Sequence, residues 1–321
     1  MEGARWDVHV ATVDFDAGRI IDGPRSLSAR LGGNHASPSW SPNGRTLAFL
    51  SRAGNRTRAA STVTSVDTGS SRLTQLSLPF SLVGSVNPPR WSRDGRSFFA
   101  DSMAASSHEG GLYRVDAATG EMSLVTPRSQ AGEPLLPVPD ADETHVYFAA
   151  RAKDAPVPSI YSKDIRSGEV VELYRTHEGR LILSPLSLSP DGKSIAFRNI
   201  VPAPLSPSGK DQCVFHVLDL ATASSREVLR IDGVSAGLAW SSDQKFLVLT
   251  ARRLGTEGEL SRVRISDKSV TTVPLPARFG MSLHPDNRRV AYEVQSNGPN
   301  EILLLENALP ANMLGKPKGG K

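Results

Sequence analysis

The sequence predicts an all-β propeller made of four-stranded antiparallel blades, with six blades in this chain. One phrase, SPSWSPNGRTLAFLS at residues 37–51, returns in five further copies at a period of about 43 to 52 residues. Between the copies, a second kind of segment places two short strands around a turn. Units that cannot bury their apolar faces alone are stable when they stack around one axis, which leaves few open sheet edges.

Each copy of the phrase reads as two strands, a and b, joined by a tight turn such as Pro42-Asn43-Gly44. Strand b is apolar at successive positions, as in Ile195-Ala196-Phe197, which indicates burial of both faces. In the third copy Ala141-Asp142-Glu143 replaces the tight turn, and in the fifth Gln244 replaces glycine. The further copies are 87–101, 134–150, 186–199, 236–250 and 279–294.

The segments between the copies read as strands c and d. An aspartate ends strand c and can accept backbone N–H groups two residues on, so turn chemistry is predicted rather than a catalytic row of carboxylates. These aspartates are Asp14, Asp67, Asp116, Asp164 and Asp219.

Three tryptophans recur at one position near the end of strand a: Trp40, Trp91 and Trp240. A structural role is predicted, in which each ring fills the space between two blades. A stacking platform for bases or sugars is the alternative.

The two ends of the chain leave the strand count uneven. Residues 6–31 read as a half-blade with strands at 6–15 and around Ile20-Ile21, and EILLLENAL at 301–309 reads as a further c strand. Either the N-terminal strand near Ile20-Ile21 joins the last blade and closes six blades, or a seventh blade has its first half upstream of Met1. We expect one domain over 1–309, with repeats starting near 37, 88, 135, 186, 236 and 279, and a flexible Lys/Gly tail over 310–321.

Charge and composition argue against several classes of function. The formal charge of +4 falls to +1 without Lys316, Lys318 and Lys321 of the tail, so the body lacks the basic stripe of a nucleic-acid binder. Apolar runs are too short to span a membrane, and the opening MEGARWDVHV lacks the apolar core of a signal peptide. The single Cys213 lies in an apolar run and is expected to be a buried, inert thiol.

The repeated phrase resembles the WD40-like (PD40) repeats of TolB-type bacterial β-propellers. Pro42-Asn43-Gly44, Pro190-Asp191-Gly192 and His284-Pro285-Asp286 carry the signature, and the resemblance covers about residues 6–309. It implies the fold strongly and the function weakly, because such propellers serve many partners and also accompany prolyl-oligopeptidase-type hydrolase domains. The compartment stays open: cytoplasmic as written, periplasmic if the chain belongs to a longer TolB-like protein.

Catalytic motifs are few and lie in the wrong context. The sequence Gly233-Val234-Ser235-Ala236-Gly237 fits G-x-S-x-G, but it falls in a connection between blades without the helix that a nucleophile elbow needs. Gly192-Lys193-Ser194 lacks the upstream glycine of a phosphate loop. A calcium site at Asp140, Asp142 and Glu143 is less expected than a solvated turn. The scattered histidines, without i, i+4 pairs, are His9, His35, His108, His145, His177, His216 and His284.

The favoured function is therefore a non-catalytic scaffold that binds a protein or peptide, without cofactor or metal, as a monomer. The b–c and d–a connections share one face and are the long ones, and binding residues concentrate on such loops. The candidate binding residues on this face are Arg52, His108, Glu109, Arg151, Lys153, Lys210, Arg252 and Arg253. Two alternatives remain: the propeller of a serine peptidase whose hydrolase domain is absent, and a propeller hydrolase or lyase that acts on sugars in the central channel.

Overall fold

The computed structural model describes residues 5–28, 31, 33–52, 62–78, 88–102, 110–127, 135–150, 158–176, 180–181, 186–252, 258–277 and 280–296. Within these ranges there is no α-helix, and one short 3-10 turn covers Ala203–Leu205. The strands form six antiparallel sheets of four positions each. The predicted all-β propeller with six blades is confirmed.

Blades 1 to 5 follow one another along the chain, each ordered a-b-c-d from one edge of the sheet to the other. Blade 1 contains β3 (Asn34–Trp40), β4 (Thr46–Arg52), β5 (Thr62–Asp67) and β6 (Leu73–Ser77). Blade 2 contains β7 (Arg90–Trp91), β8 (Ser97–Ser102), β9 (Gly111–Asp116) and β10 (Met122–Pro127). Blade 3 contains β11 (Leu135–Pro139), β12 (His145–Ala150), β13 (Ser159–Asp164) and β14 (Val170–Arg175).

In blade 4, strand a is in two pieces that both pair with strand b. The blade contains β15 (Arg180–Leu181), β16 (Ser187–Leu188), β17 (Ser194–Val201), β18 (Gln212–Asp219) and β19 (Ser225–Asp232). Blade 5 contains β20 (Val234–Trp240), β21 (Phe246–Arg252), β22 (Glu259–Arg264) and β23 (Val270–Pro274). Strands a of neighbouring blades contact one another, β7 with β3, β20 with β16, and so they form the inner ring.

Blade 6 joins the two ends of the described chain. It contains β24 (Met281–Leu283) and β25 (Arg289–Ser296), followed by β1 (Arg5–Asp14) and β2 (Arg19–Ser26). β1 pairs with β25 from Arg5 opposite Ser296 to Thr12 opposite Arg289. The N-terminal strands therefore close the ring as strands c and d. β1 occupies the edge of β25 where strand c of this blade lies. The interpretation of 301–309 as a c strand concerns residues outside the described part of the chain.

A hydrogen-bond network explains the recurring Ser-x-Asp/Asn-Gly of the a–b turns. Ser41 Oγ donates to Asn43 Oδ1 at 2.8 Å, Arg45 N donates to the same oxygen, and Gly44 takes the left-handed conformation with φ +69°. The same bond, with an aspartate carboxylate in place of the Asn43 amide, joins Ser92 to Asp94, Ser189 to Asp191 and Ser241 to Asp243.

The two turns that depart from the signature keep this form. Glu143 and Gln244 take the left-handed conformation of the missing glycine, with φ 56° and 62°. In blade 3 Asp140 replaces the serine, and Thr144 N donates to its Oδ1 at 2.8 Å. The expected loss of the tight turn at 141–143 is therefore wrong, because acidic side chains supply the same acceptor.

The aspartates at the end of strand c act in turns, as predicted. Asp67 Oδ1 accepts Gly69 N at 3.1 Å and Ser70 N at 2.7 Å, and these N–H groups lower the pKa of the carboxyl. The same contact to the residue three positions on recurs at Asp14, Asp116, Asp164 and Asp219.

Burial on both faces of strand b forms the core between blades. Ile195 and Phe197 pack in a cluster with blade 3, whereas Ala196 between them packs in a cluster with blade 5. All three are essentially buried, as is Cys213. No helix in the described part is long and apolar enough to cross a membrane.

Candidate binding surface and central channel

The connections divide the propeller into two unequal faces. On the short-turn face, the a–b and c–d connections are tight turns, such as 41–45 and 68–72. On the long-loop face lie the b–c and d–a connections, such as the one from Val201 to Gln212. Because successive antiparallel strands reverse direction, these two kinds of connection cannot mix on one face.

On the long-loop face, the connection of blade 4 from Val201 to Gln212 is the longest one that the structure describes throughout. β17 and β18 pair from Ser194 opposite Asp219 to Val201 opposite Gln212, and the loop between them carries the 3-10 turn. Leu205 at this tip is 70% exposed, more than any other large apolar side chain among the described residues.

Two aspartates hold the hairpin tip in place. Asp211 accepts Ala203 N at 2.8 Å through Oδ1, and its carbonyl accepts Gly233 N at 2.8 Å. Asp232 Oδ1 accepts Ser208 Oγ and the amide of Gln212, both at 2.8 Å. The loop is therefore tied to its own strands and to the next connection, so Leu205 is presented from a fixed frame.

The structure places three of the predicted binding residues on the long-loop face. Lys210 is exposed on the blade 4 hairpin. Arg52 and Arg252 end strand b of their blades at equivalent positions, where Asn34 pairs with Arg52 and Val234 with Arg252. The remaining candidates lie outside the described residues, and they are His108, Glu109, Arg151, Lys153 and Arg253.

The three tryptophans lie where neighbouring blades meet. Trp91 Nε1 donates to Ser39 O of blade 1 at 3.1 Å, and Trp240 Nε1 donates to Ser187 O of blade 4 at 2.8 Å. The Trp40 ring packs edge-on against His284 of blade 6, with centroids 4.7 Å apart. Each ring thus links two blades.

Arg90 was missed by the sequence reasoning. It precedes Trp91 on strand a of blade 2, and its Nη2 donates to Leu186 O of blade 4 at 2.7 Å. Burial lowers the pKa of Arg90 to about 10. One signal was available: the equivalent positions in the other blades carry only small side chains, Ser39, Val138, Ser187, Ala239 and Ser282.

A buried serine and histidine in blade 1 were also missed. His35 Nδ1 lies 2.9 Å from Ser51 Oγ, and Ser51 Oγ lies 2.7 Å from Thr64 Oγ1, so the chain of side chains crosses strands a, b and c. His35 is 1% exposed, and burial lowers its pKa. A nucleophile needs access to substrate, which this closed position does not give.

The remaining catalytic motifs do not assemble a site in the described part of the chain. Strand β20 runs through the G-x-S-x-G sequence, where Ser235 pairs with Ala251, so the motif lies on a strand rather than in the expected connection. Asp140 accepts bonds within its turn, and Glu143 pairs with Arg114 at 3.1 Å. No group of three or more metal-ligating side chains occurs among the described residues. His216 stacks on Phe197 within the core.

Comparison with known proteins agrees with this architecture. No family model matches the chain, and no curated protein matches it. Among solved structures, TolB from Acinetobacter baumannii is similar with 18% identity and a TM-score of 0.57, over 80% of this chain. The chain spans 65% of the length of that structure.

For two further structures, the match with this chain extends over most of their length. A putative TolB from Agrobacterium tumefaciens has 16% identity and a TM-score of 0.62, over 92% of this chain and 99% of its own. An oligogalacturonate lyase in complex with manganese has 15% identity and a TM-score of 0.53, over 89% and 78%. The chain therefore has a TolB-like β-propeller fold. At these identities the likeness shows the fold alone, and an enzyme is among the similar structures.

Proposed function

We propose that this chain is a non-catalytic β-propeller that binds a protein or peptide partner on its long-loop face. The observation that carries the proposal is Leu205, a large apolar side chain 70% exposed on a hairpin tip. Asp211 and Asp232 tie that tip to the blade. Apolar anchors held in a fixed position lose little conformational entropy on binding, which is typical of the centre of an interface.

The difference between the uniform short-turn face and the variable long-loop face also supports the long-loop face as the binding surface. The short-turn face repeats one hydrogen-bonded turn in each blade, so its backbone shape is nearly uniform. The long-loop face varies between blades and carries Lys210 beside the apolar tip. A surface of mixed apolar and charged groups on a near-neutral body fits a protein or peptide better than a nucleic acid.

The absence of an assembled catalytic site among the described residues supports a binding role. Ser235 lies on a strand, and Ser51 is enclosed with His35 in blade 1. A hydrolase nucleophile lies on a sharp strand-to-helix turn and is exposed; the backbone at Ser235 is a strand, and Ser51 is buried.

A displayed peptide library selected on the purified chain tests the proposal. Peptides enriched on the wild type are expected to bind the variant Leu205→Asp at least about tenfold more weakly, since a charge replaces the apolar anchor. The matched control is Leu73→Asp, because Leu73 is 47% exposed on the outer strand of blade 1. Size measurement by light scattering should give a monomer of 34.4 kDa for all three proteins.

Two results would contradict the proposal. Peptides that bind Leu205→Asp as well as the wild type would place the binding surface elsewhere. Turnover of oligogalacturonate or of peptidyl esters by the wild type would replace the binding role with an enzymatic one.

A further inference from the structure

The side chain of Arg90 links blade 2 to blade 4. Arg90 belongs to strand a of blade 2, and the carbonyl it reaches, Leu186 O at 2.7 Å, belongs to blade 4. Blade 3 lies between these blades in chain order, and strands a form the inner ring. A side chain that joins blades 2 and 4 from the inner ring therefore passes across the channel side of blade 3.

Most of the hydrogen-bonding capacity of Arg90 is unused among the described residues. A guanidinium carries five N–H donors, and the bond to Leu186 O uses one of them. None of the described carboxylates lies within ion-pair distance of Arg90. The buried Glu293 accepts Ser37 N at 2.6 Å instead. A partly buried cation without a counter-charge loses part of its hydration, and an anion would offset that cost.

Among the six equivalent positions of strand a, only that of blade 2 carries a long side chain, Arg90. The equivalent residues of the other five blades are small, and three of them, Ser39, Ser187 and Ser282, carry hydroxyl groups. With a pKa of about 10, Arg90 keeps its charge at neutral pH. A planar guanidinium matches the two oxygens of a carboxylate.

A second arginine without hydrogen-bond partners at two of its nitrogens lies in the blade that supplies the acceptor of Arg90. Arg198 on strand b of blade 4 is 9% exposed, and its Nε and Nη1 have no hydrogen-bond partner in the described structure. Ser187 pairs with Ala196, so Leu186, the acceptor for Arg90, lies beside the Phe197–Arg198 stretch of the neighbouring strand.

We propose that the central channel binds the carboxylate group of a small anionic ligand at Arg90. Arg90 lies next to Trp91, which precedes the a–b turn at Ser92, so the site is near the short-turn mouth of the channel. It is separate from the long-loop face. The carboxylate can belong to a sugar acid or to the C-terminus of a short peptide.

Calorimetric titration at pH 7 and low ionic strength tests the site with matched pairs of ligands. Galacturonate is compared with neutral galactose, and N-acetylglycylglycine with its C-terminal amide. The wild type is expected to bind one of the two carboxylates at least about tenfold more tightly than its neutral partner, and salt should weaken the binding. The ligand pair that shows the difference identifies the source of the carboxylate.

Variants then locate the binding. Arg90→Met should weaken carboxylate binding at least about tenfold. Arg93→Met removes the same charge from an exposed turn of the same blade and should leave the affinity unchanged. Arg90→Lys keeps the charge but lacks the planar guanidinium, so this variant should bind the carboxylate severalfold more weakly than the wild type. If Arg90→Met does not fold, the affinity of Arg90→Lys is the test of the site. Leu205→Asp should bind the carboxylate normally, since that residue lies on the opposite face.

The proposal is overturned if the wild type binds neither carboxylate more tightly than its neutral partner. It is equally overturned if Arg90→Met, or Arg90→Lys where the former does not fold, keeps the affinity of the wild type. A loss of affinity in Arg93→Met as large as in Arg90→Met would reduce the effect to net charge and would also overturn the assignment.

Discussion

Replacing Gly44 by alanine should destabilise the seam between blades 1 and 6 far more than the same change in blade 4. Gly44 has φ +69°, and a Cβ built there would lie 2.2 Å from His284 Nε2. Gly192, at the equivalent position in blade 4, has φ +74° and nothing within 4 Å of its Cβ. Both changes therefore carry the same backbone strain, and only the first creates a collision.

The expected magnitudes follow from these two terms. Left-handed conformation costs an alanine about 1–2 kcal/mol, so Gly192→Ala should lower the free energy of unfolding by that amount. Overpacking adds about 1–3 kcal/mol, so Gly44→Ala should lose about 2–5 kcal/mol. His284 cannot move away without loss, because its Nε2 lies 3.0 Å from Gly44 O and its Nδ1 lies 3.0 Å from Asp286 N.

Urea unfolding followed by tryptophan fluorescence at pH 7 measures these differences. The collision is tested in the background His284→Ser, since serine occupies this turn position in blades 1, 2, 4 and 5. There the cost of Gly44→Ala should fall to that of Gly192→Ala. Equal losses for Gly44→Ala and Gly192→Ala in the wild-type background, or no recovery with His284→Ser, would refute the reasoning.

Two further predictions concern the links between and within blades. Trp91→Phe should lower the free energy of unfolding by about 1–2 kcal/mol, because it removes the Nε1–H bond to Ser39 O; the same urea assay measures it, and no loss would show that the bond is unimportant. Burial raises the pKa of Asp286, but the backbone N–H groups of Arg289 and Arg288 and the Arg289 side chain outweigh it and hold the pKa at about 2. Stability from this carboxylate is therefore present above about pH 4 and is lost as the pH falls towards 2. Asp286→Asn should remove this part of the acid dependence, about 1 kcal/mol for a partly exposed group, and an unchanged pH profile of unfolding would contradict the assignment.

The repeating part of the fold was predictable from the sequence because each repeat encodes its own local structure. Ser41, Asn43 and Gly44 form a turn by bonds among themselves, so the motif predicts the turn without knowledge of the neighbours. The continuous apolar run Ile195-Ala196-Phe197 predicts burial on both faces for a similar reason. The sequence left open how the ring of blades closes, because closure depends on which distant strands pair. The pairing of β1 with β25 decides this.

The candidate sites were harder to predict because they depend on contacts between blades or on irregular loops. The contact of Arg90 with Leu186 joins residues 96 positions apart, and no local pattern encodes it. The anchoring of the blade 4 hairpin by Asp211 and Asp232 has no counterpart among the described residues of the other repeats. Asp140 and Glu143 show the opposite case, in which altered residues preserve a turn that the motif alone would have rejected.

The two proposed sites depend on different parts of the fold, so a single variant can affect one site and leave the other unchanged. Leu205 depends on one hairpin outside the ring, so its loss should leave the propeller and its channel intact. Arg90 depends on the positions of blades 2 and 4 in the ring, and the contact of Gly44 with His284 forms part of the seam between blades 1 and 6 of that ring. Loosening this seam should therefore weaken carboxylate binding in the channel before it affects peptide binding at the hairpin tip. Gly44→Ala under conditions where it remains folded is the variant that tests this order, and a loss of peptide binding with unchanged carboxylate binding would contradict it.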